Sequence, residues 1–142
     1  MTASPANTTI QLVTFLLNGE EYGIDVMKVR EISSMAEITR TANSPSFVKG
    51  VINLRGAIVP IISLRNRLGF PDISDESSCC IAIMDFKGEL TGFVIDEISD
   101  VIRINISDIQ PPPIDNTSQP WIEGILNVNN KLIVFLNLMH LI

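Results

Sequence analysis

One pattern occurs twice in this chain, and it limits the folds open to it. Residues 47–68 read FVKGVINLRGAIVPIISLRNRL, and residues 121–142 read WIEGILNVNNKLIVFLNLMHLI. An aromatic, a glycine and an asparagine recur at the same spacing as Phe47, Gly50, Asn53 and Trp121, Gly124, Asn127. An earlier block repeats too: VTFLLNGEEYGIDVMKV at 13–29 aligns with AIMDFKGELTGFVIDEI at 82–98. The offset is 69 residues in the early block and 74 in the late one, so the second copy holds five extra residues between its blocks. A proline-rich loop around Pro111-Pro112-Pro113 and Pro120 accounts for them. A period near 70 exceeds the roughly 20–50 residues of solenoid units and suits two similar subdomains. The repeat also sorts residues. What both copies keep serves the fold, and what one copy has alone is free for another task.

Each copy carries two hairpin signals. Ile10–Leu17 is rich in β-branched and large apolar residues, and Asn18-Gly19 turns it back into Glu21–Ile24. Ile81–Phe86 does the same through Lys87-Gly88 into Leu90–Ile95. The later blocks turn at Arg55-Gly56, between Val51–Leu54 and Ile58–Ile62, and at Asn129-Asn130, between Ile125–Val128 and Leu132–Leu136. Glycine or asparagine at each turn supplies the positive φ that primed turns need. Short helical turns link the strands. Asp25 caps Val26–Val29, Ser44-Pro45 opens a turn that Gly50 closes, and Ser63 and Asn137 cap the last turn of each copy, with Gly69 as a stop. Pro60 interrupts a strand, which places it at an edge or bulge; the second copy has Val134 there. The pattern predicts an all-β fold of two small five-stranded barrels, closed to hide their edges, with a groove where they meet.

A chain of 142 residues with 46% apolar content is about one domain, or two small ones sharing a core. No apolar stretch is long enough to cross a membrane as a helix. Residues 1–9 lack the basic and apolar regions of a secretory signal and read as a disordered tail ahead of a domain at 10–142. Cys79 and Cys80 are adjacent on a predicted strand and point to opposite faces, so a disulfide framework is not expected and a reducing, cytoplasmic setting is. The net charge of −6 is uneven: residues 1–70 hold seven basic and five acidic side chains, residues 71–142 three and eleven. Arg40, Lys49, Arg55, Arg65 and Arg67 fall in a stretch without any acid. Such a stretch is a solvated basic face or a contact surface for an acidic protein. Nucleic acid is disfavoured by the acidic total and by the single aromatic, Phe47, among those cations.

Catalytic equipment is scarce. His140, the one histidine, sits in an apolar run, and one histidine with two adjacent cysteines has no zinc spacing. Phosphate loops, dinucleotide fingerprints and nucleophile elbows are absent from the sequence. Asp75/Glu76 and Asp96/Glu97 read as solvated acids. The expectation is a protein that is no enzyme and takes no cofactor and no metal. Asn53, kept as Asn127, is read as structural, bonding local backbone. Arg55 stands at the NLRG turn where the other copy has Asn129, and offers five outward donors. Glu31, aligned with Asp100, is a weaker candidate of the same kind.

The runs EEYGIDVMKVREI (20–32) and ITRTANSPSFVKGVINLRGAIVPIISLR (38–65), with TGFVIDEISDVIRI (91–104) and the WIEGILNVNNKLIVFLNLMHLI ending, resemble the CheW-like coupling proteins of bacterial chemotaxis. The resemblance spans almost the whole chain beyond its N-terminal tail. It implies two intertwined five-stranded SH3-like β-barrel subdomains with short connecting helices, the repeat halves covering roughly 10–70 and 79–142. It implies a cytoplasmic adaptor, recruited to membrane arrays, that links methyl-accepting chemoreceptor tips to the regulatory domain of the histidine kinase CheA. The resemblance also implies array rings in which further copies of the adaptor are candidate partners. Carried over residue by residue, Val29, Glu31, Thr39, Gly50 and Arg55 occupy positions associated with receptor or kinase contacts. Val29 would supply an apolar contact, Glu31 and Arg55 charge complementarity, and Gly50, repeated as Gly124, a mainly structural close approach. Ser63 stands where the family often has aspartate, and both are N-caps. The chain also stops without the C-terminal extension some members carry. Two neighbouring readings are a coupling protein of a non-flagellar chemosensory system, such as twitching motility, and a CheW-like regulatory domain of a larger signalling protein; the Met1 start and the lack of a receiver-like repeat speak against the latter. A barrel enzyme or small-ligand sensor would need a polar pocket cluster that the sequence does not offer.

Overall fold

The computed structural model describes residues 8–42, 44–112 and 120–141. Ten strands among the described residues form two five-stranded sheets. In chain order they are β1 (Thr9–Leu17), β2 (Glu20–Asp25), β3 (Val29–Ser34), β4 (Val48–Leu54), β5 (Ala57–Ser63), β6 (Cys80–Phe86), β7 (Glu89–Ile95), β8 (Glu97–Asn105), β9 (Ile122–Val128) and β10 (Lys131–Leu136). Among the described residues the helical content is slight: one α-helical turn, α1 (Leu64–Arg67), and 3-10 turns at Val26–Lys28, Ile106–Asp108 and Leu138–Leu141.

All four hairpins form at the predicted turns. Asn18 and Gly19 have φ of 54° and 79°, Arg55 and Gly56 50° and 90°, Lys87 and Gly88 55° and 92°, Asn129 and Asn130 52° and 66°. Two consecutive positive φ values give the twist that antiparallel strands need. The short turns between strands are capped as the sequence suggests. Asp25 Oδ1 accepts from the Met27 N–H at 2.9 Å, Ser63 Oγ from Asn66 N–H at 3.2 Å, and Asn137 Oδ1 from Met139 N–H at 3.1 Å.

The sheets are assembled across the repeat. One has the order β8-β1-β2-β10-β9, the other β3-β6-β7-β5-β4. Each combines the first hairpin of one copy with the last three strands of the other, in the same order. The join is a parallel ladder in both: Val134 and Phe135 of β10 on Tyr22 and Gly23 of β2, and Ile61, Ile62 and Ser63 of β5 on Gly92, Phe93 and Val94 of β7. Neither sheet therefore coincides with one sequence copy. The chain divides into two compact units, residues 28–97 and residues 1–27 with 98–142.

Each unit has its own apolar centre. In the first, Ile52, Val59, Ile61, Ile81, Ile83 and Val94 pack with the Cys79 side chain. In the second, Leu12, Ile104, Leu126 and Ile133 pack together, flanked by Ile10, Ile102 and Phe135. Cys79 is buried and Cys80 half-buried, and neither is in a disulfide.

Two expectations are corrected. Ser44-Pro45 opens only a single turn, with Val48 N–H bonding Pro45 O at 3.0 Å, and Gly50 does not close it. Gly50 lies within β4, at the register shift between Val48 and Gly50. Pro60 is not on an edge strand, since β5 lies between β4 and β7. It costs no ladder bond all the same. Val51, opposite Pro60, spends its N–H and C=O on Thr39, so this pair is a non-bonded one and the Pro60 nitrogen faces away from β4. On the other side the β7 ladder starts one residue later, at Ile61. In the second copy, where Val134 keeps its N–H, the β2 ladder includes that residue. Residues 1–7 of the expected tail and residues 113–119 of the proline loop lie outside the described residues.

Candidate functional site

All five candidate contact residues fall in the unit formed by residues 28–97. The fold gathers them into two places. Glu31 and Arg55, 24 residues apart in sequence, form an ion pair. Arg55 heads the β4–β5 turn with its side chain 70% exposed, while Glu31 on β3 is 30% exposed. The turn is held from below by Asn53, whose Oδ1 accepts from Gly56 N–H at 2.8 Å. This is the local structural role expected of Asn53. An arginine at φ 50° costs more than the asparagine that stands at the aligned place in the other copy. Val29 opens β3 two residues before Glu31. It is half-buried and pairs with Met84.

Thr39 and Gly50 meet toward the other end of β4. Thr39 and Val51 exchange backbone bonds, N–H to O at 2.9 Å in each direction, and lay residue 39 across the strand. Gly50 has φ 144°, and a Cβ there would collide with the Thr39 carbonyl. The second copy repeats the crossing. Gln110 and Ile125 exchange bonds at 2.9 and 2.8 Å, and a Cβ on Gly124 would lie 2.6 Å from Gln110 O. Since both copies use a glycine to admit a crossing segment, Gly50 serves the fold first. Any contact role it has is indirect, through the exposed Thr39 that it lets pass.

The acid-free basic stretch does not form one basic face. Lys49 lies 3.8 Å from Glu76, Arg65 pairs with Asp96 and donates from Nε to Pro71 O at 2.8 Å, and the Arg67 guanidinium sits 4.9 Å from the centre of the Phe47 ring. With Arg55 on Glu31, three of these cations find acidic partners that lie outside the stretch in sequence. Asp96 is correspondingly not a solvated acid: its side chain and that of Arg65 are 13% and 12% exposed. Nothing local in the sequence signals this pair, whose members lie 31 residues apart. A cavity of about 200 Å³ beside it is lined by Arg40, Lys49 and Arg65 against Asp72, Glu76 and Asp96, so it favours neither sign of charge. Burial pushes the Cys79 thiol up in pKa, with the Asp96 and Glu76 carboxylates adding to the effect. Among the described residues no three His, Cys, Asp or Glu side chains converge to hold a metal, and His140 is exposed. Among them, too, no helix is long and apolar enough to cross a membrane.

Sequence reasoning also passed over a set of exposed apolar side chains. Ile58 and Leu132, aligned in the repeat, are 66% and 65% exposed; Ile32 and Val101, aligned at the other offset, are 37% and 52% exposed. The exposure of large apolar groups thus recurs at matched places in both units. The duplication held the signal, because both copies keep an apolar residue there. Strand periodicity alone could not say which side of the sheet each faces.

Comparisons with known proteins bear on the family and the fold. The family model described as CheW-like domain matches residues 11–142. A chemotaxis protein CheW of Klebsiella aerogenes is 42% identical over 72% of this chain, a match that spans 62% of that protein's own length. A chemotaxis protein CheW of Bacillus subtilis is 33% identical over 87% of this chain and 80% of its own. Among solved structures, the scaffolding protein TtCheW from Thermoanaerobacter tengcongensis is similar with a TM-score of 0.88 and 33% identity, covering 94% of this chain and 92% of that one. The nearly all-β build of two five-stranded sheets is the fold of that relative, and this chain belongs to the CheW-like domain family.

Proposed function

We propose that this chain is a chemotaxis coupling protein, an adaptor that links methyl-accepting chemoreceptor tips to the regulatory domain of a CheA-type histidine kinase in the cytoplasm and supports receptor control of that kinase. The observation that carries the reading is the repeated exposure of apolar side chains, Ile32 and Ile58 in one unit and Val101 and Leu132 in the other. A partner built of similar barrels would cover such places, and further copies of this chain could do so in a ring. The Glu31–Arg55 pair and Val29 supply a charged and an apolar contact next to one another on β3 and the β4–β5 turn. Family membership supports the same reading, as do the similar proteins, two chemotaxis proteins and one scaffolding protein. An adaptor acts by geometry: it holds two partners in register, and its own chemistry is that of surfaces.

The test is reconstitution. The chain, a cognate kinase and a receptor fragment are run together on gel filtration and assayed for kinase autophosphorylation. A stoichiometric complex with receptor-dependent kinase activity supports the proposal. Failure of both the kinase and the receptor fragment to co-elute with the chain overturns it.

A further inference from the structure

Arg30 and Glu31 are neighbours on β3, yet they reach two different hairpins. Glu31 pairs with Arg55 at the β4–β5 turn, and Arg30 Nη1 lies 3.3 Å from Asp85 Oδ2 beside the β6–β7 turn. A β-bulge permits this. Val29 stands opposite Met84 and Glu31 opposite Ile83, so Arg30 is the extra residue. In an unbroken strand, neighbours point to opposite faces; a bulge re-aims them. Here two oppositely charged neighbours, Arg30 the more exposed and Glu31 the less, each pair with a side chain on a different hairpin.

We propose that Asp85 is a positioning residue for the Glu31–Arg55 pair: by holding Arg30 it keeps that guanidinium off the Glu31 carboxylate and leaves Glu31 to Arg55. The inference rests on the reading of Glu31 and Arg55 as partner-contact residues. Two cations and two acids admit two pairings, Arg30–Asp85 with Glu31–Arg55, or Arg30–Glu31 with the other two left alone. Exposed ion pairs differ little in strength, so a small bias decides between them. The bias lies in the anchoring of Asp85. Its Oδ1 accepts from Gly88 N–H at 2.8 Å, a local bond that holds the carboxylate at the foot of the turn independently of Arg30. Asn53 does the same for Gly56 in the β4–β5 hairpin without carrying a charge. Asparagine at position 85 can therefore keep the turn while releasing Arg30.

The experiment compares D85N, Arg30→Gln and the double variant in the full chain. The first readout is the Arg55 Nε–Hε resonance in a ¹⁵N spectrum of the protein alone. D85N is expected to move it toward its position in Glu31→Gln, and the double variant to return it to the wild-type position. The second is affinity for the kinase regulatory domain and a receptor fragment. D85N is expected to bind about three- to tenfold more weakly, and the double variant to recover. An unmoved Arg55 resonance in D85N overturns the proposal. So does a melting-temperature loss in D85N that Arg30→Gln fails to rescue, because that marks Asp85 as part of the turn alone. Should Arg55→Glu leave partner affinity intact, the contact reading of Arg55 fails instead, and the resonance still decides the role of Asp85.

Discussion

The carbonyl of Thr39 occupies the space that a side chain at Gly50 would need. Two backbone bonds of 2.9 Å tie residue 39 to Val51, so the crossing segment cannot move aside without losing both. Gly50→Ala combines a left-handed φ with a backbone collision and is expected to cost about 2–4 kcal/mol of stability. Gly124→Ala, free of the φ penalty, should cost less. Urea denaturation of both variants checks the order. Gly50→Ala that is as stable as wild type would show that the crossing is loose.

Arg55 separates stability from binding. Arg55→Glu places a like charge beside Glu31 and should weaken a partner complex by more than about 1 kcal/mol, with the melting temperature nearly unchanged. Arg55→Asn should also weaken binding, yet raise stability by a few tenths of a kcal/mol, because asparagine adopts φ 50° more readily than arginine. Calorimetry of the free protein and titration with the kinase domain read the two effects apart.

The Arg65–Asp96 pair is nearly buried, so removing one member should hurt more than removing both. Asp96→Ala is expected to cost about 2–3 kcal/mol by leaving the Arg65 charge uncompensated. The aligned places in the other copy are Met139 and Met27, which suggests the replacement Arg65→Met with Asp96→Met. That double variant should be more stable than either single one. A denaturation cycle over the four proteins gives the coupling directly.

Stability should fall on the alkaline side. Burial raises the Cys79 thiol above its ordinary value of 9.0, and burial with the Glu20 hydrogen bond raises the Tyr22 phenol above 10.0. In the unfolded chain both groups lose protons near those ordinary values, while the folded chain retains them. The unfolded state then binds fewer protons, and stability, fully present below about pH 9, declines as pH rises further. Urea midpoints between pH 8 and 11 should trace this decline, and Tyr22→Phe should flatten its upper part. A midpoint that stays level through pH 11 would show that neither group is shifted.

The turns were legible in the sequence because a turn is a contract among four neighbouring residues. Asn18-Gly19 and Asn129-Asn130 can hardly be anything else, and Arg55-Gly56 and Lys87-Gly88 borrow their glycine. Caps at Asp25, Ser63 and Asn137 were legible for the same reason: donor and acceptor lie two or three residues apart. The role of Gly50 was legible only in part. Its recurrence as Gly124 marks it as structural, but what it admits, the backbone of Thr39, is eleven residues away. Glu31 and Arg55 were each singled out, while their pairing was not, and the Arg30–Asp85 and Arg65–Asp96 pairs left no trace in local pattern at all.

The sequence by itself determined where the chain reverses, which residues repeat and that the strands come in two matched sets. These are short-range properties, set by backbone preference and by apolar spacing. Only the tertiary structure decided which hairpin joins which. A strand with alternating apolar residues accepts any partner of like pattern, so nothing local tells β2 to take β10, or β7 to take β5. Those two parallel ladders exchange the copies between sheets. The β5–β7 ladder also brings the β4–β5 hairpin into the unit in which β3 from the first copy lies against β6 from the second, where Arg30 meets Asp85 and Glu31 meets Arg55.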